Sequence, residues 1–180
     1  MKNKKVALVT GANKGIGFEV SRQLARIGFT VLLGARDKAR GEGAAGKLRN
    51  EGFDVRYVAA DLNRAVESGA ENARIVNLSS GLGSLAINGD ANGPFYQAKA
   101  LAYSASKAAL NMFTVNLAYE LRDAKIKVNS VSPGYVATDL NGHSGPMTVK
   151  EGASEIVRLA QLPDDGPSGG FFSKEGSYPW

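Results

Sequence analysis

The stretch Val6-Ala7-Leu8-Val9-Thr10-Gly11-Ala12-Asn13-Lys14-Gly15-Ile16-Gly17 sets out a strand, a glycine turn and the start of a helix. Its first four residues are a continuous, partly β-branched apolar run, as expected of a strand buried on both faces of a parallel sheet. Val20, Leu24 and Ile27 follow Ile16 at helical spacing, and Gly28 supplies a stop. The glycines permit a tight turn and close backbone approach to an anion, which the positive end of the helix attracts. Their spacing is G-x-x-x-G-x-G rather than the commoner G-x-G-x-x-G. A strand before the loop and an amphipathic helix after it predict a dinucleotide pyrophosphate held by Gly11, Asn13, Lys14, Gly15, Ile16 and Gly17. The bland alternative is a turn that merely connects two elements.

The pattern continues outward from that turn. Phe29 to Leu33 reads as a second strand, and Asp37 can cap a weak Ala/Gly-rich helix that closes near Gly52. Val55 to Ala60 makes a third strand, stopped by Asp61, and Arg74 to Ser79 a fourth. Gly81 to Ala100 is expected to be mostly loop. Leu110, Phe113, Leu117 and Leu121 mark a long helix, and Ile126 to Val131 a fifth strand cut by Pro133-Gly134. Thr148 and Glu151 have capping-box spacing before Ile156 and Val157, and Gly169 to Phe172 ends the series as a short strand. Strands alternating with helices predict an α/β fold: a doubly wound, Rossmann-like parallel sheet in a single domain over residues 1–180.

Composition narrows the partners. A charge of +5 suits an anionic small ligand, but the basic residues are scattered, so no nucleic-acid partner is expected. No stretch approaches the roughly 20 apolar residues of a membrane span. The chain has no cysteine, which excludes disulfides and thiolate zinc sites and is compatible with a cytoplasmic setting. Its one histidine, His143, cannot form a metal site alone, and a surface role is expected; no metal is implied.

Two further clusters carry chemistry. Arg36 follows the second strand, where such folds meet the adenosine ribose; an arginine there can pair with a 2′-phosphate, and Lys14 can add to the same charge. The choice is therefore NADP over NAD. Asp61 can accept from the adenine amino group or simply cap a turn. In Leu101-Ala102-Tyr103-Ser104-Ala105-Ser106-Lys107, the phenol and the ammonium share one helical face. The ammonium favours phenolate, so Tyr103 can pass a proton to a carbonyl oxygen.

With the glycine loop, Arg74-Ile75-Val76-Asn77-Leu78-Ser79-Ser80, Tyr103-x-x-x-Lys107 and Pro133-Gly134-Tyr135-Val136-Ala137-Thr138 in this order, the chain resembles the short-chain dehydrogenase/reductase family, most of all its carbonyl reductases. The resemblance implies an NADP(H)-dependent oxidoreductase that moves hydride between the coenzyme and the carbonyl carbon of an aldehyde or ketone. Ser80 would hold the substrate oxygen, with Ser79 the bland alternative. Tyr103 would be the acid, and Lys107 its partner and a ligand of the nicotinamide ribose. Asp61 and Leu62 would meet adenine. Pro133, Gly134, Val136 and Thr138 would flank the nicotinamide and its phosphates. The partner implied is a small carbonyl compound or alcohol, with the protein a monomer or homo-oligomer.

The chain departs from the family twice. Serine and tyrosine stand 23 residues apart (103 − 80) where the family has about thirteen, the excess falling in Asn88 to Pro94. A loop there implies a changed substrate entrance. More seriously, the family continues after the third strand through a helix, a strand ending Asn-Asn-Ala-Gly, and a helix with a catalytic asparagine. Here only Arg64 to Ala73 separates Asn63 from Arg74. Ten extended residues reach about 33–36 Å, a tight return for a parallel crossover without a helix. A segment of about 50–70 residues is thus expected to be missing between about 63 and 74, by analogy with such folds. The rival reading is a non-catalytic or crippled NADP-binding module.

Overall fold

The computed structural model describes residues 5–59 and 73–180. The expected adenine contacts Asp61 and Leu62, and the short link after them, lie outside the described residues. The chain divides into two compact units; their described parts are residues 5–59 with 136–157, and residues 73–135 with 158–180.

In the first unit, β1 (Val6–Thr10), β2 (Thr30–Ala35) and β3 (Val55–Ala59) form a parallel sheet in the order β1-β2-β3. Val6 pairs with Thr30, and Val31 with Val55. The central strand carries the core: Val31 and Leu33 are fully buried, with Ala44, Ala45 and Leu48 of α2 (Lys38–Asn50). Gly41 is required on the buried face of α2, because a Cβ there would lie 2.4 Å from the Tyr57 ring. Asp37 caps α2 as its position predicts, accepting from the Arg40 N–H at 2.9 Å. Helix α1 (Gly15–Arg26) buries Val20, Leu24 and Ala25. The unit also holds most of α5 (Val149–Leu159), entered through Thr148, which accepts from the Glu151 N–H while the Glu151 carboxylate accepts from Thr148.

One expectation fails in this unit. β1 is not buried on both faces: Val6 is 61% and Leu8 45% exposed. Among the described residues it pairs only with β2, at the edge of the set β1-β2-β3.

The second unit holds β4 (Arg74–Leu78), β5 (Lys127–Val131), β6 (Phe171–Ser173) and β7 (Gly176–Tyr178) in the order β4-β5-β6-β7. The first three are parallel and β7 is antiparallel to β6. Every pairing in both sets of strands is parallel except that of β7, as expected of a Rossmann-like α/β fold. The last element is a hairpin rather than one short strand. Phe171 is buried beneath Trp180, with ring centroids 5.4 Å apart, and meets the Tyr178 ring edge-on. Residues 81–100 are more ordered than a loop: a 3-10 turn at Gly81–Gly83 leads into α3 (Leu85–Gly89), whose N-cap Ser84 accepts from the Ile87 N–H.

Helix α4 (Leu101–Glu120) is where the apolar pattern misleads. Its buried side chains are Asn111 and Thr114, whereas Phe113 is 54% exposed and Leu101, Met112, Val115 and Tyr119 are exposed too. The polar pair is buried because β4 and β5 offer polar partners. Asn77 donates to the Thr114 hydroxyl at 2.9 Å, and the Ser130 hydroxyl lies 2.8 Å from the same oxygen. Ser79 donates to the Asn111 amide oxygen at 2.6 Å, and the Asn111 amide nitrogen donates to the Gly83 carbonyl at 3.1 Å. Asn111→Ala strands the Ser79 hydroxyl and the Gly83 carbonyl in a buried site. It is expected to cost about 1–3 kcal/mol per unsatisfied group, read as a lowered urea midpoint.

Candidate active site

The glycine loop is built as its spacing demands. Gly11 and Gly15 adopt left-handed backbone, with φ of 64° and 57°. A Cβ on Gly17 would lie 2.7 Å from the Gly11 carbonyl oxygen, so the third glycine lets the helix start against the turn. The Ala12 N–H donates to the Gly34 carbonyl at 3.0 Å and ties the loop to β2. Lys14, at the N-cap of α1, makes no side-chain cap, and the first turn carries no acidic residue. The helix therefore offers backbone N–H groups and the positive end of its dipole with no carboxylate of its own in the way, which fits a pyrophosphate. Asn13 and Ile16 are half-buried along this cradle.

Arg36 is exposed just past the end of β2 and has no ion-pair partner among the described residues. Its neighbour Asp37 is taken up by the first turn of α2 and by Arg40.

The segment after β5 supplies the other wall of this unit. Val136 is buried and bridges to Met147; a Cβ on Gly152 would meet it at 2.4 Å. Asn141 closes the backbone around Thr138, accepting from its N–H at 3.1 Å and donating to the Val136 carbonyl at 2.9 Å. His143 has left-handed backbone, φ 61°, unusual for a non-glycine residue. Its imidazole is exposed, as expected of a surface role, with Nε2 3.0 Å from a carboxylate oxygen of Asp139. The other Asp139 oxygen accepts from the Lys14 ammonium. Lys14 first, and His143 to a lesser degree, hold the Asp139 carboxyl below the ordinary carboxylate range. Sequence reading passed over Asp139 and Asn141. The three-residue step from Thr138 to Asn141, typical of a closed turn, is the signal that marks them.

The second unit gathers Ser80, Tyr103, Lys107, Pro133 and Gly134 around the carboxyl ends of β4 and β5, the end at which parallel sheets bind ligands. Ser79 and Ser80 separate cleanly. Ser79 is buried and spends its hydroxyl proton on Asn111. Ser80 accepts from the Leu82 N–H at 3.2 Å, which leaves its own O–H to donate to a ligand. Its turn is fixed on two sides. The Gly81 N–H donates to the Ser132 hydroxyl at 3.1 Å, and a Cβ on Gly83 would sit 2.6 Å from the Lys107 Cβ. Ser132, missed in the sequence, thereby joins the Ser80 turn to Pro133 and to Gly134, whose φ is 83°.

Tyr103 and Lys107 lie one turn apart on α4, with the Lys107 ammonium 5.7 Å from the centre of the Tyr103 ring. The same ammonium donates to the Leu78 carbonyl at 2.8 Å, at the end of β4. Burial lowers the Lys107 pKa below the usual lysine value. The sequence-predicted residues thus fall into two sets: the glycine loop, Arg36, Val136 and Thr138 in one unit, and Ser80, Tyr103, Lys107, Pro133 and Gly134 in the other.

A glycine-loop cradle on parallel strands in one unit, and in the other a serine after a parallel strand with a tyrosine and a lysine on the following helix, are features of Rossmann-type nucleotide-dependent oxidoreductases. The chain belongs to the short-chain dehydrogenase family, whose model matches it in two overlapping pieces, residues 5–89 and 63–148. The (−)-isopiperitenone reductase of Mentha piperita is 26% identical over 306 aligned residues, covering 96% of this chain and 97% of the relative. Carbonyl reductase (NADPH) 1 of Sus scrofa is 26% identical over 283 residues, covering 99% and 98%. The structure of salutaridine reductase from Papaver somniferum superimposes with a TM-score of 0.78 at 26% identity, covering 95% of this chain and 100% of that one. An alignment 306 residues long holds at most the 180 of this protein, so more than a third of its positions have no counterpart here.

Removing the Lys14 charge tests the electrostatics of the first set. Because Asp139 is held ionised, its support for the folded state is present above the ordinary carboxylate range and fades as pH falls through the depressed value. Lys14→Met is expected to move the Asp139 midpoint upward in a carboxyl ¹³C NMR titration. His143 keeps part of the depression.

Proposed function

We propose that this protein is an NADP(H)-dependent reductase of aldehydes or ketones, acting in reverse as an alcohol dehydrogenase. The observation that carries the reading is the trio at the ends of β4 and β5: a serine with an uncommitted O–H, a tyrosine on the helix beside it, and a lysine bound to the strand end beneath the tyrosine ring. Ser80 holds the carbonyl oxygen of the substrate and Tyr103 protonates it, while the Lys107 charge stabilises the phenolate left behind until solvent returns the proton. The coenzyme, when bound, supplies the hydride. Gly11, Asn13, Gly15, Ile16 and Gly17 hold its pyrophosphate, and Lys107 its nicotinamide ribose. Pro133, Gly134, Val136 and Thr138 line its nicotinamide end, and Asp61 and Leu62 its adenine. The cation pair Lys14 and Arg36, without a carboxylate in the ribose position, supports NADP over NAD.

The substrate side is apolar. A depression of about 380 Å³ is lined mostly by apolar groups, among them Ala86, Ile87, Pro94, Phe95 and Pro179, with Asp90 as its one charged residue. Phe95 packs directly against Gly81, the residue after Ser80. This supports a hydrophobic carbonyl compound, in keeping with relatives named for isopiperitenone and salutaridine. Among the described residues no helix is long and apolar enough to cross a membrane. The cysteine-free composition supports a cytoplasmic setting.

A second reading has its own support. The chain lacks more than a third of the positions in its alignment with the mint reductase, and β1 and α4 leave apolar side chains exposed. A protein truly short by one segment between about 63 and 74 would keep the coenzyme cradle and lose most turnover.

Decay of NADPH absorbance with a panel of apolar aldehydes and ketones separates the two, on protein whose intact mass is 18.9 kDa. Reduction above background is expected, slow beside full-length relatives. Tyr103→Phe should lower it by about 10²–10⁴-fold, the usual worth of a general acid, while NADPH binding survives; Lys107→Ala should damage both. Unchanged turnover in Tyr103→Phe removes Tyr103 from the mechanism. Binding without any turnover in the parent favours the crippled module.

A further inference from the structure

We infer that Asp139 tunes coenzyme preference, by competing with the 2′-phosphate of the dinucleotide for the ammonium of Lys14. The inference rests on the NADP reading above and adds to it a residue outside the recognised motifs. Lys14 is the only charged side chain between Gly11 and Gly17. It does not stand free, because its ammonium is paired with the Asp139 carboxylate across 125 positions of sequence. Asp139 is in turn held in place. It opens the 3-10 turn Asp139–Asn141, which Asn141 locks through Thr138 and Val136, and its second oxygen faces His143 Nε2 at 3.0 Å. Arg36, by contrast, has no ion-pair partner among the described residues.

The two cations therefore meet a phosphate on different terms. Among the described residues Arg36 leaves no ion pair to meet it, whereas Lys14 must first leave a carboxylate. A nucleotide without the 2′-phosphate makes no claim on Lys14, and its binding does not depend on that exchange. Both members of the pair are exposed, so the effect is small and screened by salt.

The test is calorimetric titration of the whole chain with 2′,5′-ADP and with 5′-AMP at low ionic strength, for the parent and for Asp139→Asn. The amide keeps the size of the side chain and removes its charge. The substitution is expected to tighten 2′,5′-ADP by about two- to fivefold, the range of an exposed ion pair, and to leave 5′-AMP unchanged. The gain should vanish when Lys14→Met is added, and shrink in high salt. Equal changes for both nucleotides, no change for either, or a gain that persists without Lys14 overturns the role of Asp139. Retained 5′-AMP binding also shows that the variant is folded. If the parent itself fails to prefer 2′,5′-ADP, the NADP reading falls and this inference falls with it. A parent preference untouched by Asp139→Asn sinks the inference alone.

Discussion

Asn111 reaches from the middle of α4 into the end of β4, accepting from Ser79 and donating to the Gly83 carbonyl. Those two residues bracket Ser80, so the amide fixes the turn that carries the hydroxyl proposed to hold the substrate. The same helix carries Lys107 and Tyr103 about one and two turns earlier, and the Lys107 ammonium reaches the Leu78 carbonyl on the same strand. Serine, tyrosine and lysine are thus held in mutual register by a polar seam rather than by apolar packing. Such a seam is directional, and each missing partner leaves a buried group unsatisfied. That is a reason to bury Asn111 and Thr114 where leucine would be the ordinary choice. An apolar contact tolerates a small slide of one element on another, while a hydrogen-bonded amide between two fixed groups does not.

What could be read from the chain follows from where the information resides. Gly11, Gly15 and Gly17 are legible because backbone conformation and close approach dictate them locally. Tyr103 and Lys107 are legible because helical spacing alone puts them on one face. The strands β1 to β5 were marked by their apolar runs. The hairpin β6–β7 was not, since its strands are three residues long and its stability comes from Phe171 stacked on Trp180, a contact no local window contains. Asp139 was invisible for the same reason: its meaning lies in Lys14, far away in sequence. The buried face of α4 was misleading because Asn111 and Thr114 are interior only in the presence of Asn77, Ser79 and Ser130. Leu101, Met112 and Phe113 would pass for core residues by composition, and each lies open.

Those open residues bear on the proposed missing segment. Burying a large apolar side chain stabilises a fold by roughly 1.5–3 kcal/mol. Val6 and Leu8 on β1, with Leu101, Met112, Phe113, Val115 and Tyr119 on α4, together forgo an amount comparable with the whole stability of a typical domain, about 5–15 kcal/mol. The Ser104 hydroxyl, beside Tyr103, is buried with no hydrogen-bond partner among the described residues. Scattered exposed apolar residues need no explanation. An edge strand and one helix that both expose them, in a chain whose family model matches in two pieces, do ask for one.

A chain stabilised so weakly on these surfaces would gain from its ligand what it lacks in packing. A nucleotide that binds only the folded state adds stability in proportion to the logarithm of its concentration over its dissociation constant. The cradle of the glycine loop depends on β1, α1 and β2, all short-range neighbours in sequence with a well-buried central strand. The proposed trio of Ser80, Tyr103 and Lys107 depends on α4, which exposes Leu101, Met112, Phe113, Val115 and Tyr119. On the proposed reading, loss of a segment weighs unequally on the two functions: the coenzyme cradle rests on elements close in sequence around a buried central strand, and proton transfer on the helix that exposes the most apolar side chains. The order in which the activities fail follows from that packing, with turnover going before nucleotide binding.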